Sequence, residues 1–138
     1  MNEDSFVVKP IGTVQSELTD LAQAPKQGDE GGREAWLIFA PEVRDGLTGI
    51  CVGDRLIVLT WLHLAQRDVL RVHPRGDQAN PLQGVFTTRS PNRPNPIGLH
   101  QVEVLAIEEQ RLKVAPLEAV DGTPIIDIKP VLAAINRR

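Results

Sequence analysis

The residues best suited to hold a charged ligand are concentrated in Thr88-Arg89-Ser90-Pro91-Asn92-Arg93-Pro94-Asn95-Pro96-Ile97-Gly98. Three prolines fix φ and remove three backbone donors, and each pushes the residue before it toward extended geometry. Asn92 and Asn95 are turn formers that bond back to their own backbone. A loop so constrained is stiff, projects the guanidiniums of Arg89 and Arg93, and loses little entropy when a ligand binds. The planar fork of arginine suits carboxylates and phosphates. The same composition also describes a proline-rich turn whose arginines cap its own carbonyls, and the loop alone does not decide between the two.

A second unusual segment is Asp121-Gly122-Thr123-Pro124-Ile125-Ile126-Asp127-Ile128-Lys129-Pro130. Asp-Gly signals a turn and Thr-Pro opens an extended stretch. Its isoleucines require burial, which draws Asp127 and Lys129 toward a core, where an unpaired charge costs several kcal/mol. The expected answer for Asp127 is a structural ion pair, for instance with an arginine of the proline-rich loop. His63 ends the apolar run Val58-Leu59-Thr60-Trp61-Leu62, where a histidine serves as a ligand contact, a proton carrier or a hydrogen-bonded edge residue. His63, His73 and His100 lack metal-ligand spacing, so no metal is expected. No nucleophile elbow or paired base marks a serine or cysteine nucleophile.

The elements that must position these residues read as short strands. Eleven prolines and eleven glycines divide the chain into short pieces. Strands are predicted at 6–14, with a bulge near Pro10, and at 35–39, 54–62, 83–88, 98–108 and 111–117, with Glu109-Gln110 as a hairpin turn. The unbroken run at 54–62 suggests burial on both faces, and Val102, Val104 and Ala106 are expected to share one face. Pro41 to Leu47 suits one helical turn or a short helix, and 23–32 a long loop. Many short strands in succession indicate an all-β barrel or sandwich. No Gly-rich strand-to-helix turn of a Rossmann crossover is present.

Length and composition place these strands in one domain, residues 1–138. The apolar fraction is 41% and the charged fraction 24%, as in ordinary globular proteins. One cysteine, Cys51, excludes an intrachain disulfide and a Cys-rich zinc site. No apolar run is long enough to span a bilayer as a helix, and the first residues do not form a secretory signal. A cytoplasmic, membrane-free protein is expected. The net charge is −3, yet five arginines against two acids between His63 and His100 give that segment +3. Screening limits the distant acids to roughly 8–10 Å, so such a face attracts phosphates locally.

Both unusual segments, the first extended to Gly84-Val85-Phe86-Thr87 and Leu99, resemble the hallmarks of the TsaA-like family, the tRNA threonylcarbamoyladenosine N6-methyltransferases. Weaker similarities are Ile11-Gly12-Thr13-Val14-Gln15-Ser16, Pro25-Lys26-Gln27 and Leu62-His63, so the likeness spans nearly the whole chain. Lys26, Glu118 and Val131 depart from the family's usual arginine, aspartate and aromatic residue. The resemblance implies a TsaA-like β-barrel with short helical segments, usually a homodimer, and a pocket for S-adenosylmethionine. It implies cofactor contacts at Gln27, Gly28, Leu62, His63, Arg89, Leu99 and the run Ala115, Pro116, Leu117, Glu118, with Glu118 as the carboxylate for ribose hydroxyls or the methionine amine. The implied reaction methylates N6 of threonylcarbamoyladenosine beside the tRNA anticodon, with His63 and Asp121 as candidates for the base. Arg93, Asn95, Arg71, Arg75 and Lys129 are the candidates for RNA or substrate contacts. The alternatives are a methyltransferase of the same fold acting on another RNA or a small molecule, and a non-catalytic adenosylmethionine- or RNA-binding protein.

Overall fold

The computed structural model describes residues 4–18, 33–74 and 78–132. Eight strands appear in chain order among them: β1 (Gly12–Gln15), β2 (Ala35–Phe39), β3 (Arg55–Trp61), β4 (Arg71–Val72), β5 (Gln83–Gly84), β6 (Ile97–Glu108), β7 (Arg111–Ala115) and β8 (Pro124–Pro130). Six of them form a closed barrel in the order β1-β2-β7-β6-β3-β8, with β8 returning to β1 through Gly12↔Ile125 and Thr13↔Pro124. β4 and β5 make a separate two-stranded sheet. Two 3-10 turns, Pro41–Leu47 and Val85–Thr87, lie among the described residues.

Period-two alternation explains the wall. In β2, Ala35, Leu37 and Phe39 point inward, and in β3 Leu56, Val58 and Thr60 do the same. Facing them across the core are Val102, Val104, Leu112, Val114 and Ile125. Each fully buried Val, Leu or Ile contributes about 1.5–3 kcal/mol relative to exposure. A one-residue slip of any strand would turn this set outward, so the pattern also fixes register. β3 is therefore alternating, not buried on both faces as its apolar run suggested; Ile57, Leu59 and Trp61 lie on the outer side and are only partly covered.

Three other expectations shift. The first strand begins at Gly12, and Phe6, Val7 and Val8 before it are exposed and outside the ladder. Pro10 has no donor to give a ladder, and Gly12 is required because a Cβ there would collide with the Ile38 carbonyl of β2. The strand expected over 83–88 stops after Gly84 and turns into the 3-10 turn Val85–Thr87. In β6 an irregularity between Val104 and Ala106 breaks the alternation, so Ala106 pairs with Lys113 instead of joining Val102 and Val104 inside. The 35–39 strand and the Glu109-Gln110 connection occur as expected, Glu109 adopting φ 52° and Arg111 bridging back to Glu108 at 2.6 Å. No helix among the described residues is long and apolar enough to cross a membrane.

Candidate functional site

The last residue of β3 pairs with the first of β6, Trp61↔Ile97, so β3 leaves the barrel and β6 enters it at one rim. Just beyond it the Leu62 N–H donates to the Pro96 carbonyl at 2.8 Å. The stretch between β7 and β8 reaches the same rim. There the Ser16 hydroxyl donates to the Ala119 carbonyl at 2.7 Å, and the buried Thr123 hydroxyl donates to the Val120 carbonyl at 2.6 Å. Between these pieces lies a hollow of about 50 Å³ walled by Leu62, His63, Leu64, Ala65, Pro91, Glu118, Ala119, Val120 and Thr123. The proline-rich loop and the residues before and after the Asp121 turn thus do share a hollow. On the far side of Pro91 opens a larger groove of about 880 Å³, lined by Val72, His73 and Pro74 near β4 and by Thr87 to Asn92 of the loop. Pro91 borders both spaces.

The candidate residues separate into those with free polar groups and those already used by the fold. His63 and Glu118 at the hollow and Arg89 in the groove have no hydrogen-bond or ion-pair partner among the described residues. Arg71, exposed on β4, is likewise free. Arg93 is spent inside its own loop, its guanidinium donating to the carbonyls of Thr88 (3.0 Å), Ser90 (2.8 Å) and Val85 (2.9 Å). Prolines make this necessary, because a loop with missing N–H groups leaves carbonyls without donors. The Asn95 Oδ1 accepts from Arg67 at 3.1 Å. The Asp121 carboxylate accepts from the Ser16 N–H at 3.0 Å and does not border the hollow, so it holds a turn in place.

Other expected contacts lie elsewhere. Leu117 belongs to the core, and Ala115 and Pro116 border a different cavity of about 160 Å³ with Arg55, Gln101 and Glu103. Of that run only Glu118 reaches the hollow. Leu99 is half exposed on the outer barrel wall, opposite Leu59 and beside Ile97. Asp127 bridges Lys129 at 3.2 Å on the wall of β8 and does not meet an arginine of the loop. Two residues apart on one strand, these side chains share a face, and this tie satisfies both charges. Gln27, Gly28 and Arg75 lie outside the described residues.

One buried polar pair went unread in the sequence. Thr60, fully buried, has its hydroxyl 2.9 Å from Nε2 of His100, and burial lowers the His100 pKa from 6.5 to about 4. The two side chains face inward at the rim, directly beneath Leu62 and beside Gly98. A Cβ on Gly98 would stand 2.5 Å from the Thr60 hydroxyl and 3.0 Å from His100 Nε2. Alternation within β3 placed Thr60 on the core face, and a buried hydroxyl demands a partner; that was the available signal.

Free groups of both signs at one rim form a site able to hold a zwitterionic ligand, with a carboxylate on one side of Pro91 and a guanidinium on the other. Comparison with known proteins agrees in kind. A probable S-adenosyl-L-methionine-binding protein of Methanothermobacter thermautotrophicus is 44% identical over 136 residues, covering 99% of this chain and 97% of that one. An S-adenosyl-L-methionine-binding protein of Archaeoglobus fulgidus is 46% identical over 135 residues, 96% of each chain. The crystal structure of TrmO from Pseudomonas aeruginosa superimposes with a TM-score of 0.68 at 26% identity, over 93% of this chain and 56% of its own length. This chain therefore spans little more than half of that solved TrmO. The family described as the tRNA-methyltransferase O N-terminal domain matches residues 13–137, and the chain belongs to it.

Proposed function

We propose that the protein is an S-adenosylmethionine-dependent methyltransferase acting on tRNA in the cytoplasm, with N6 of threonylcarbamoyladenosine beside the anticodon as the acceptor. The observation that carries this reading is the rim where His63, Arg89 and Glu118 remain unpaired around Pro91 while neighbouring polar groups are satisfied. The donor set fits the cofactor. Arg89 complements a carboxylate, and Glu118 complements an ammonium group or ribose hydroxyls. Alone, the hollow of about 50 Å³ is far below the roughly 300–1,000 Å³ of ordinary ligand pockets. The groove across Pro91 supplies the remaining room.

When bound, the cofactor supplies an electrophilic methyl group on a sulfonium. The chain's own contribution is placement, because a displacement in line with the departing sulfur depends on the orientation of its partners. A stiff loop and a barrel rim are suited to that task. The acceptor nitrogen must lose a proton, and His63, which borders the hollow, is the residue assigned to accept it directly or through water. Arg71 is assigned to phosphate contacts from the outer side of the groove. A homodimer is part of the same reading: the outer face bearing Leu59, Ile97 and Leu99 is apolar, and a second copy seated there would cover it.

Incubation with methyl-labelled S-adenosylmethionine and tRNA, with and without the threonylcarbamoyl group, followed by nucleoside analysis, tests the proposal. Label confined to N6 of the modified adenosine is expected. Label on another acceptor would move the chain to a different substrate, and cofactor binding without transfer would make it a binding protein.

A further inference from the structure

The proline-rich loop needs donors on two sides, and only one side is served by Arg93. Its first half, Val85 to Ser90, is held from within by the Arg93 guanidinium. The second half lies against the segment that follows β3, and here three contacts cross the gap. The Gln66 N–H donates to Asn92 Oδ1 at 2.9 Å, Arg67 Nε donates to the Pro94 carbonyl at 2.8 Å, and Arg67 Nη2 donates to Asn95 Oδ1 at 3.1 Å. The guanidinium also lies 5.1 Å from the centroid of the Trp61 ring, the last residue of β3. Beyond Trp61↔Ile97 one more backbone bond forms, Leu62 N–H to the Pro96 carbonyl at 2.8 Å, but Pro94 and Pro96 have no N–H to return. Arg67 supplies side-chain donors where the ladder lacks them.

These contacts join the two walls of the hollow. His63, Leu64 and Ala65 on one wall are followed directly by Gln66 and Arg67, and Pro91 on the other is followed directly by Asn92. The clamp spans from the barrel's end, at Trp61, to the half of the loop nearest β6. We propose that Arg67 is a positioning residue for the ligand site, fixing the proline-rich loop at a set distance from His63 and Glu118 without touching the ligand itself. This rests on the cofactor reading above for its effect on binding, though not for the clamp. A fork with a planar face is needed: one edge reaches two acceptors while the face lies over Trp61, which a lysine ammonium cannot reproduce in full.

The test compares Arg67→Ala and Arg67→Lys with the unaltered protein in three measurements: hydrogen exchange of amides in 88–95, calorimetric binding of S-adenosylhomocysteine, and thermal midpoint. Arg67→Ala is expected to accelerate exchange in 88–95 and to weaken S-adenosylhomocysteine binding on the order of tenfold, with the melting midpoint nearly unmoved because the clamp is exposed. Arg67→Lys should recover part of both losses. Unchanged exchange in 88–95 would overturn the clamp, and faster exchange with unchanged affinity would overturn its positioning role. If the unaltered protein fails to bind S-adenosylhomocysteine, the cofactor reading and the positioning role both fall, while the exchange data still decide the clamp.

Discussion

Acidification should weaken this barrel through His100. The imidazole is neutral in the fold, with burial lowering its pKa from 6.5 to about 4. The unfolded chain gains its proton below 6.5, whereas the folded chain gains it only near 4. Stability from the neutral state is thus complete above 6.5 and is lost progressively as pH falls from 6.5 toward 4. Linkage gives a loss of about 2 kcal/mol by about pH 5, rising to about 3 kcal/mol below pH 4. The assay is thermal or urea unfolding at about pH 8 and about pH 5 for the unaltered protein and for His100→Gln, whose amide keeps a partner for the Thr60 hydroxyl. Carboxylates titrate alike in both, so the difference isolates His100. The unaltered protein should lose about 2 kcal/mol more than the variant over that interval. Identical pH profiles would refute the assignment of a buried, neutral imidazole at the rim.

Three further outcomes follow from the same geometry. Gly98→Ala should destabilise the protein by about 1–3 kcal/mol in urea unfolding, because its Cβ would press on Thr60 of the facing β3 and on His100 two residues along β6. Arg93→Ala should cost about 1–3 kcal/mol and speed exchange in 85–90, since the carbonyls of Thr88 and Ser90 lose their donor and that of Val85 keeps only the Thr88 N–H and hydroxyl. Asp127→Asn should change the melting midpoint little, its bridge to Lys129 being a largely exposed pair worth about 0–1 kcal/mol; a large drop would show that the pair carries more of β8 than its exposure allows.

Much of the wall was legible in the sequence because strand alternation is a local signal. Ala35–Phe39 has the boundaries its residues imply, and the Glu109-Gln110 turn sits between two strands as its spacing required. What alternation cannot reveal is pairing. β6 runs past its irregularity at Val104/Ala106 because β7 is offset there, and nothing in residues 97–108 announces it. The apolar run of β3 looked doubly buried because a barrel wall leaves outer Ile57 and Leu59 half covered, and the sequence does not distinguish half from full cover. At the site, the two segments that meet were identifiable from proline spacing and the Asp-Gly turn. The roles within them were not. Whether an arginine binds a ligand or its own loop depends on which carbonyls lack donors, and the fold alone separates Arg93 from Arg89. Apart from Trp61 six residues before it, Arg67 carries no local mark; its hydrogen-bond partners lie 27 and 28 residues away.

The most direct test of the proposed site is where a methyl donor sits. Ultraviolet cross-linking of methyl-labelled S-adenosylmethionine, followed by mapping of the labelled peptide, reads that position directly. Label is expected in the segments that border Pro91, namely 62–65, 89–92 or 118–120, with Arg89→Ala and Glu118→Ala each reducing it. Label confined to the Glu108–Arg111 turn at the β6–β7 connection, or label indifferent to both substitutions, would contradict it.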